Sequence, residues 1–421
     1  MNHFQYRDGV LHCEDVSLAA IASAVGTPAY VYSTATLERH YDVLRDAFAP
    51  QDVLIAFAVK ANANIGVIAT LAAKGAGADT VSAGEIVRAL KAGVPPERII
   101  FSGVGKSEAE LAYALDIGVH QINVESTAEL TTLAAIAQQK AKRAPLAIRV
   151  NPDVGAGGHD KISTGKTDAK FGVSRQDAMA LYARASAHPN LDPKGLAVHI
   201  GSQIKSLTPL KDAFLVLRAM TEELRRDGLS LTRLDLGGGL GVPYFNEPEP
   251  PSPAEYAAMA LAALRGLDVA LALEPGRLIA GNAGVLITRV IRVQERPDRK
   301  MLVLDAGMND LLRPAMYDAF HEFQPVIEAA EDAARAPFDL VGPICETGDT
   351  FARQRLLPAL EPGALGAFMT AGAYGAVMAS TYNARPTPPE VLVKGDQFAV
   401  VRRRFTLEDQ LALESAPPWR A

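Results

Sequence analysis

Val53-Leu54-Ile55-Ala56-Phe57-Ala58-Val59-Lys60-Ala61-Asn62 runs seven apolar residues together and then turns abruptly polar. An apolar run of that length without polar alternation describes a strand covered on both faces, as in a parallel sheet flanked by helices. The same unit recurs at Ala78–Ser82, Ile99–Ser102, Gln121–Val124, Leu146–Val150, Leu196–Ile200, Arg233–Leu236 and Val269–Leu273. Each run is followed by a glycine-rich or polar turn and a stretch with helical spacing, such as Thr70–Lys74 or Ala83–Ala92, the latter ended by Gly93 and Pro95. Eight strand-helix units in succession predict an α/β fold of the (β/α)8 TIM-barrel type, with a doubly wound sheet as the alternative.

Beyond residue 280 the texture changes to β-branched runs, Val285–Val293 and Met301–Leu304, with proline-rich joints. A chain of 421 residues exceeds what one core usually supports. Residues 36–280 are therefore expected to form the barrel. A β-rich domain, sandwich or barrel, is expected from residues 1–35, with Ala29–Tyr32 as a strand, together with residues 281–421. Two long loops, Asn151–Gly172 and Pro243–Tyr256, interrupt the barrel; loops of that length are usually functional or disordered.

Hydrophobic residues make up 48% of the chain and charged residues 21%, the balance of a folded soluble protein. The net charge of -6 with no basic block excludes a nucleic-acid footprint and favours a small-molecule partner. Cys13 and Cys345 are the two cysteines, which leaves no disulfide framework and no Cys-x-x-Cys metal pair, so a reducing compartment and no metal are expected. The first residues are charged where a signal peptide would be apolar, and no uninterrupted apolar run reaches a membrane-spanning length. A cytoplasmic protein with no membrane partner is the expectation.

Barrel chemistry is carried at the C-terminal strand ends. There the chain places Lys60 and Asn62, Asp79 and Ser82, His199 and Ser202, Gly237–Gly239, and Glu274-Pro275-Gly276-Arg277. A partly desolvated Lys60 amine is suited to covalent attack on an aldehyde cofactor. The glycines, Gly238 and Gly239 among them, expose backbone N–H groups to a phosphate. They are not a dinucleotide fingerprint, since Val242 occupies the third glycine position; Gly105-Lys106-Ser107 likewise lacks the earlier glycine of a P-loop. Glu274 can hold a pyridine nitrogen protonated, and His199 can stack on a ring. Cys345, between Ile344 and Glu346, can act as an acid; Arg313, Tyr317 and Tyr374 add guanidinium and phenol groups. Taken singly, each has a plain alternative: a surface lysine, a simple turn, a core histidine, an ion pair of Glu274 with Arg277, a buried thiol.

In this order the segments FAVKAN (57–62), HIGSQ (199–203), DLGGGLG (235–241), EPGR (274–277), DAGMNDLLRPAMY (305–317) and GPICETGD (342–349) resemble the alanine-racemase-like, fold type III pyridoxal-phosphate decarboxylases, the diaminopimelate decarboxylases most of all. The resemblance spans nearly the whole chain. It implies pyridoxal 5'-phosphate held covalently by Lys60, stacked on His199 and met at its ring nitrogen by Glu274. Asp79, Ser202, Gly238, Gly239, Gly276, Arg277 and Tyr374 complete the cofactor contacts. Arg277, Arg313, Tyr317, Glu346 and Tyr374 are implied to grip the substrate, with Cys345 and Glu346 supplied by the partner chain of a homodimer. The implied reaction converts meso-2,6-diaminopimelate to L-lysine and CO2. Ornithine-type relatives place an aspartate after the cysteine, where this chain has Glu346. Another diamino acid as substrate stays open, as do an amino-acid racemase, which would carry an arginine in place of Glu274, and a non-catalytic cofactor-binding protein. Gly158 departs from the threonine that relatives often carry before the histidine.

Overall fold

The computed structural model describes residues 2–155, 164–165, 170–244 and 249–420. They form two compact units. One comprises the described residues of Glu38–Pro243 and Pro248–Ile279; the other comprises those up to Leu37, Tyr244, and those from Ala280 on.

The first unit is a closed barrel of eight parallel strands in chain order, each paired with the next, and the eighth with the first through Leu271 opposite Val53. The strands are Val53–Ala58, Gly77–Thr80, Ile99–Phe101, Gln121–Val124, Ala144–Arg149, Leu191–Ala197, Arg233–Asp235 and Ala270–Leu273. All eight expected runs are strands, and the barrel rather than a doubly wound sheet is the fold. Several strands stop earlier than the apolar pattern, which moves Ser82, His199 and Leu236 into the loops above the barrel.

The helices between them begin at side-chain caps. Asn64, Ser82, Ser107, Ser126, Ser174, Ser206 and Ser252 each accept a hydrogen bond from a backbone N–H of the first turn. Such caps contribute about 1 kcal/mol apiece. Ser82 is therefore a helix cap, accepting from Glu85 N at 3.2 Å, rather than the last residue of the second strand. Its signature is the Ser-x-x-Glu spacing of Ser82 and Glu85.

In the second unit a nine-stranded sheet is built around the long strand Gly284–Arg296. That strand pairs antiparallel with Ala29–Ser33, Arg299–Leu304 and Leu365–Phe368, while Ala29–Ser33 runs parallel to Glu390–Lys394. A small meander, Phe4–Arg7, Val10–Cys13 and Val16–Ser17, precedes the helix Leu18–Val25. Val31, Val285, Ile287, Val391 and Val393 share one buried core with Leu18 and Ile21. Buried Glu14 ties chain ends together: its carboxylate accepts from Ser33 Oγ at 2.7 Å, Ala35 N at 2.8 Å and Gly395 N at 2.7 Å.

Candidate active site

Lys60 stands in the short turn Val59–Ala61 directly after the first barrel strand. Its amine pairs with Asp79 Oδ2 of the second strand, fully buried. Asp79 Oδ1 is buried with no hydrogen-bond partner among the described residues, so the site retains an acceptor for a ligand's donor. His199 lies two residues past the sixth strand, and its Nδ1 accepts from Gly238 N at 3.1 Å. An acceptor Nδ1 places the ring proton on Nε2. Burial, then the positive charges of Arg149 and Lys60, hold this imidazole well below its ordinary range, so the ring facing the site is neutral.

Glu274 follows the eighth strand and is 7% exposed. Its Oε1 receives Asn123 Nδ2 at 3.3 Å and Ser102 Oγ at 3.4 Å. Burial lifts this carboxyl well above the usual range, and the neighbouring carboxylates of Asp235 and Asp79 push the same way against Lys60 and Arg149. It is a carboxyl that brings a proton into the site, which a pyridine nitrogen placed opposite would share.

An anion cradle lies beside it. Arg277, buried, reaches Ser202 Oγ from Nε at 3.2 Å and from Nη2 at 3.1 Å. The glycines bring three strand ends together: a Cβ on Gly238 would meet Glu274 O at 2.2 Å, and one on Gly239, whose φ is +110°, would meet Gly201 O at 2.4 Å. Side chains here would push the sixth, seventh and eighth strand ends apart. Gly276, also buried, leads the chain from Glu274 into Arg277.

The remaining candidates belong to the other unit. Arg313 and Tyr317 open and close the helix Arg313–Tyr317, with Arg313 buried and Tyr317 half-buried. Tyr374 takes a left-handed conformation, φ +56°, just before Gly375. Cys345 and Glu346 lie exposed on a loop whose base is held by Asp349, accepting from Ile344 N and Met308 N at 2.6 Å each. The Cys345 backbone N–H donates to Asn383 Oδ1 at 2.9 Å. Gly158 lies outside the described residues. Among the described residues no three potential metal-binding side chains come together, and no helix is long and apolar enough to cross a membrane.

The pyridoxal binding domain of the pyridoxal-dependent decarboxylases matches residues 34–281. A diaminopimelate decarboxylase of Zymomonas mobilis is 46% identical over 420 residues, 99% of each chain. The chain belongs to the diaminopimelate decarboxylase family. Two solved structures agree with it: the Helicobacter pylori diaminopimelate decarboxylase complexed with L-lysine, at 41% identity and a TM-score of 0.90, covering 94% of this chain and 98% of that one; and the M. jannaschii enzyme in co-complex with L-lysine, at 32% and 0.94, covering all of both.

Pyridoxal phosphate is the cofactor of this family, and the barrel set fits it. Lys60 offers an amine, His199 a neutral ring, Glu274 a proton-holding carboxyl, and Ser202, Arg277 and the glycine turn an anion site. Sequence reasoning missed the groups beneath. Asn123 and Gln121 put polar side chains inside an otherwise apolar strand, and Asp235 precedes the glycine run. Arg149 pairs with buried Glu125 at 2.9 Å at the end of the fifth strand. The signal available was polar residues two apart in a fully buried strand, a spacing that points both into the barrel.

Proposed function

We propose that this protein decarboxylates meso-2,6-diaminopimelate to L-lysine and CO2. The observation that carries the reading is near-full-length identity to a diaminopimelate decarboxylase in a chain that keeps the whole barrel set from Lys60 to Arg277. When bound, pyridoxal phosphate supplies an aldehyde for amine exchange and a ring that accepts the electron pair left as CO2 departs.

The residues divide the remaining work. Lys60 would hold the cofactor through its amine and is the group that a substrate amine would have to displace. Asp79 keeps the Lys60 amine aimed into the barrel mouth. His199, neutral and fixed by Gly238 N, would lie against a ring face without adding charge there. Glu274 would face the ring nitrogen and share its proton with it. Ser202, Arg277, Gly238, Gly239 and Gly276 would anchor the phosphate, so that the reacting end is placed by the far end of the molecule.

A substrate with two amino-acid ends needs guanidinium for its distal carboxylate and a carboxylate for its distal ammonium. The chain offers guanidinium at Arg277 on the barrel and at Arg313 on the second unit, which also carries the Glu346 carboxylate and the Tyr317 and Tyr374 phenols. Cys345 delivers the proton that replaces CO2 on the α-carbon. Cys345 and Glu346 are exposed on their own chain, so their enclosure at a site calls for a second copy; we assign the functional unit as a homodimer with shared sites. Residues 36–280 form the barrel that carries most of the cofactor contacts, and residues 1–35 plus 281–421 the β domain that carries Arg313, Tyr317, Cys345, Glu346 and Tyr374. Lysine formation and two free thiols suit a cytoplasmic enzyme.

The test is a substrate panel: purified protein with pyridoxal phosphate is given meso-diaminopimelate, ornithine, arginine or lysine, and CO2 and amine products are followed. Lysine from diaminopimelate, with no CO2 from the other three, supports the reading; CO2 from ornithine or lysine instead would move it to a different diamino acid.

A further inference from the structure

Beneath Glu274 lies a second carboxyl with no role in the chemistry described above. Asp235 ends the seventh barrel strand and is 1% exposed. Its Oδ1 accepts from Gly237 N at 3.0 Å, and its Oδ2 accepts from Asn123 Nδ2 at 3.2 Å and Gln121 Nε2 at 3.3 Å. These three partners are N–H donors, which stabilise a carboxylate; burial raises Asp235 against them, and its remaining partner is the Glu274 carboxyl, which can reach an ionised Asp235 only as an O–H donor. Glu274 draws on the same Asn123 amide at 3.3 Å and on the Ser102 hydroxyl at 3.4 Å, both long contacts. The Asn123 amide thus bridges two buried carboxyls whose donor sets are unequal.

We propose that Asp235 is a positioning residue that remains ionised and so keeps the proton of the Asp235–Glu274 pair on Glu274, the member facing the cofactor's ring nitrogen. The inference rests on the reading of Glu274 given above. Two like charges this close and this buried do not both ionise, so one proton is retained, and the donors decide where. The other charged groups around the pair are Lys60, just after the first strand, Asp79 and Arg149, on the second and fifth, and Arg233, two residues before Asp235 on its own strand. Asp79 reinforces proton retention on Glu274, and Lys60 and Arg149 oppose it. Asp235 touches no reacting atom; it acts by raising the proton affinity of the residue that does. A barrel floor that merely needed filling would not require a charge in this place.

The experiment uses the full-length protein, without and with pyridoxal phosphate, and reads the infrared carbonyl stretch of a protonated carboxylic acid as a function of pH. The band belonging to Glu274 is the one lost in Glu274→Gln. In Asp235→Asn the charge is removed at constant shape, and the Glu274 band is expected to titrate at least about one pH unit lower, a tenfold loss of proton affinity. Gln121→Leu removes one donor from Asp235 and has no direct contact with Glu274, although it also loses the Gln121 bond to Asn123 Oδ1 at 2.7 Å; there part of the acid signal is expected to leave Glu274 and a second acid band to grow in. This variant decides the matter if Asp235→Asn does not fold. In the loaded enzyme, Asp235→Asn should lower kcat with little change in KM. An unchanged Glu274 titration in Asp235→Asn, or no second band in Gln121→Leu, overturns the proposal. If Glu274→Gln left cofactor absorbance and turnover untouched, the reading of Glu274 itself would fall, an outcome separate from either.

Discussion

Arg313 and His321 form a buried pair of defined polarity: Arg313 Nη1 donates to His321 Nε2 at 2.9 Å, and His321 Nδ1 donates to Met369 O at 2.9 Å. A guanidinium only donates and a carbonyl only accepts, so the ring is neutral with its proton on Nδ1. Tyr244 packs on both, 5.2 Å from the guanidinium and edge-on to the imidazole. His321 therefore orients the arginine assigned to the substrate's carboxylate. Replacing it by leucine strips a buried donor of an acceptor, a cost of about 1–3 kcal/mol. His321→Leu is expected to raise KM for diaminopimelate about tenfold or more while kcat changes less, measured by steady-state CO2 release. An unchanged KM would show that Arg313 is held adequately without it.

Ser202 meets Arg277 through two contacts at the anion cradle. On the proposed phosphate contact, loss of its hydroxyl would remove one hydrogen bond, worth about 1 kcal/mol. Ser202→Ala should weaken pyridoxal phosphate binding roughly fivefold by titration of the cofactor-free protein. Equal affinity would place the phosphate elsewhere.

For Cys345, exposed on its loop, a proton-donor role predicts a kinetic effect without a binding effect. Cys345→Ala should slow kcat on the order of a hundredfold while cofactor absorbance is kept. Turnover at the original rate would remove the thiol from the chemistry.

Asp310 is pushed up to about 7, by burial first and by Asp305 and Asp349 after it. Its folded value lies above its unfolded one, near 4. Between those two values the folded state holds a proton that the unfolded state has lost, so stability falls as pH rises from about 4 to about 7 and levels off above. Asp310→Asn should flatten that slope in thermal unfolding followed by circular dichroism. The same slope in both proteins would count against a buried, protonated Asp310.

How much of this was legible depended on whether a signal was local. The run from Val53 to Val59 announces a strand because helices cover the barrel on its outside and side chains fill its inside, and that environment erases alternation. The polar groups at the strand ends were legible for the same reason, standing out against apolar neighbours. Ser82 misled because a helix cap can look like the last residue of a strand, although Glu85 three residues on marked the cap. The pairing of Ala29–Ser33 with Glu390–Lys394 joins opposite ends of the chain, and no local pattern encodes a partner so distant. Asp235, Asn123 and His321 were visible as residues but not as a network, since each acts through a neighbour supplied by another strand or loop.

The most direct measurement is the reaction with meso-diaminopimelate in deuterium oxide, following CO2, lysine and recovered substrate by mass spectrometry. The account predicts CO2 and lysine in equal amounts, the lysine carrying one non-exchanging deuterium at the carbon that lost its carboxylate. Deuterium appearing in recovered diaminopimelate with no CO2 released would contradict it, and would make the chain a racemase built on a decarboxylase's residues.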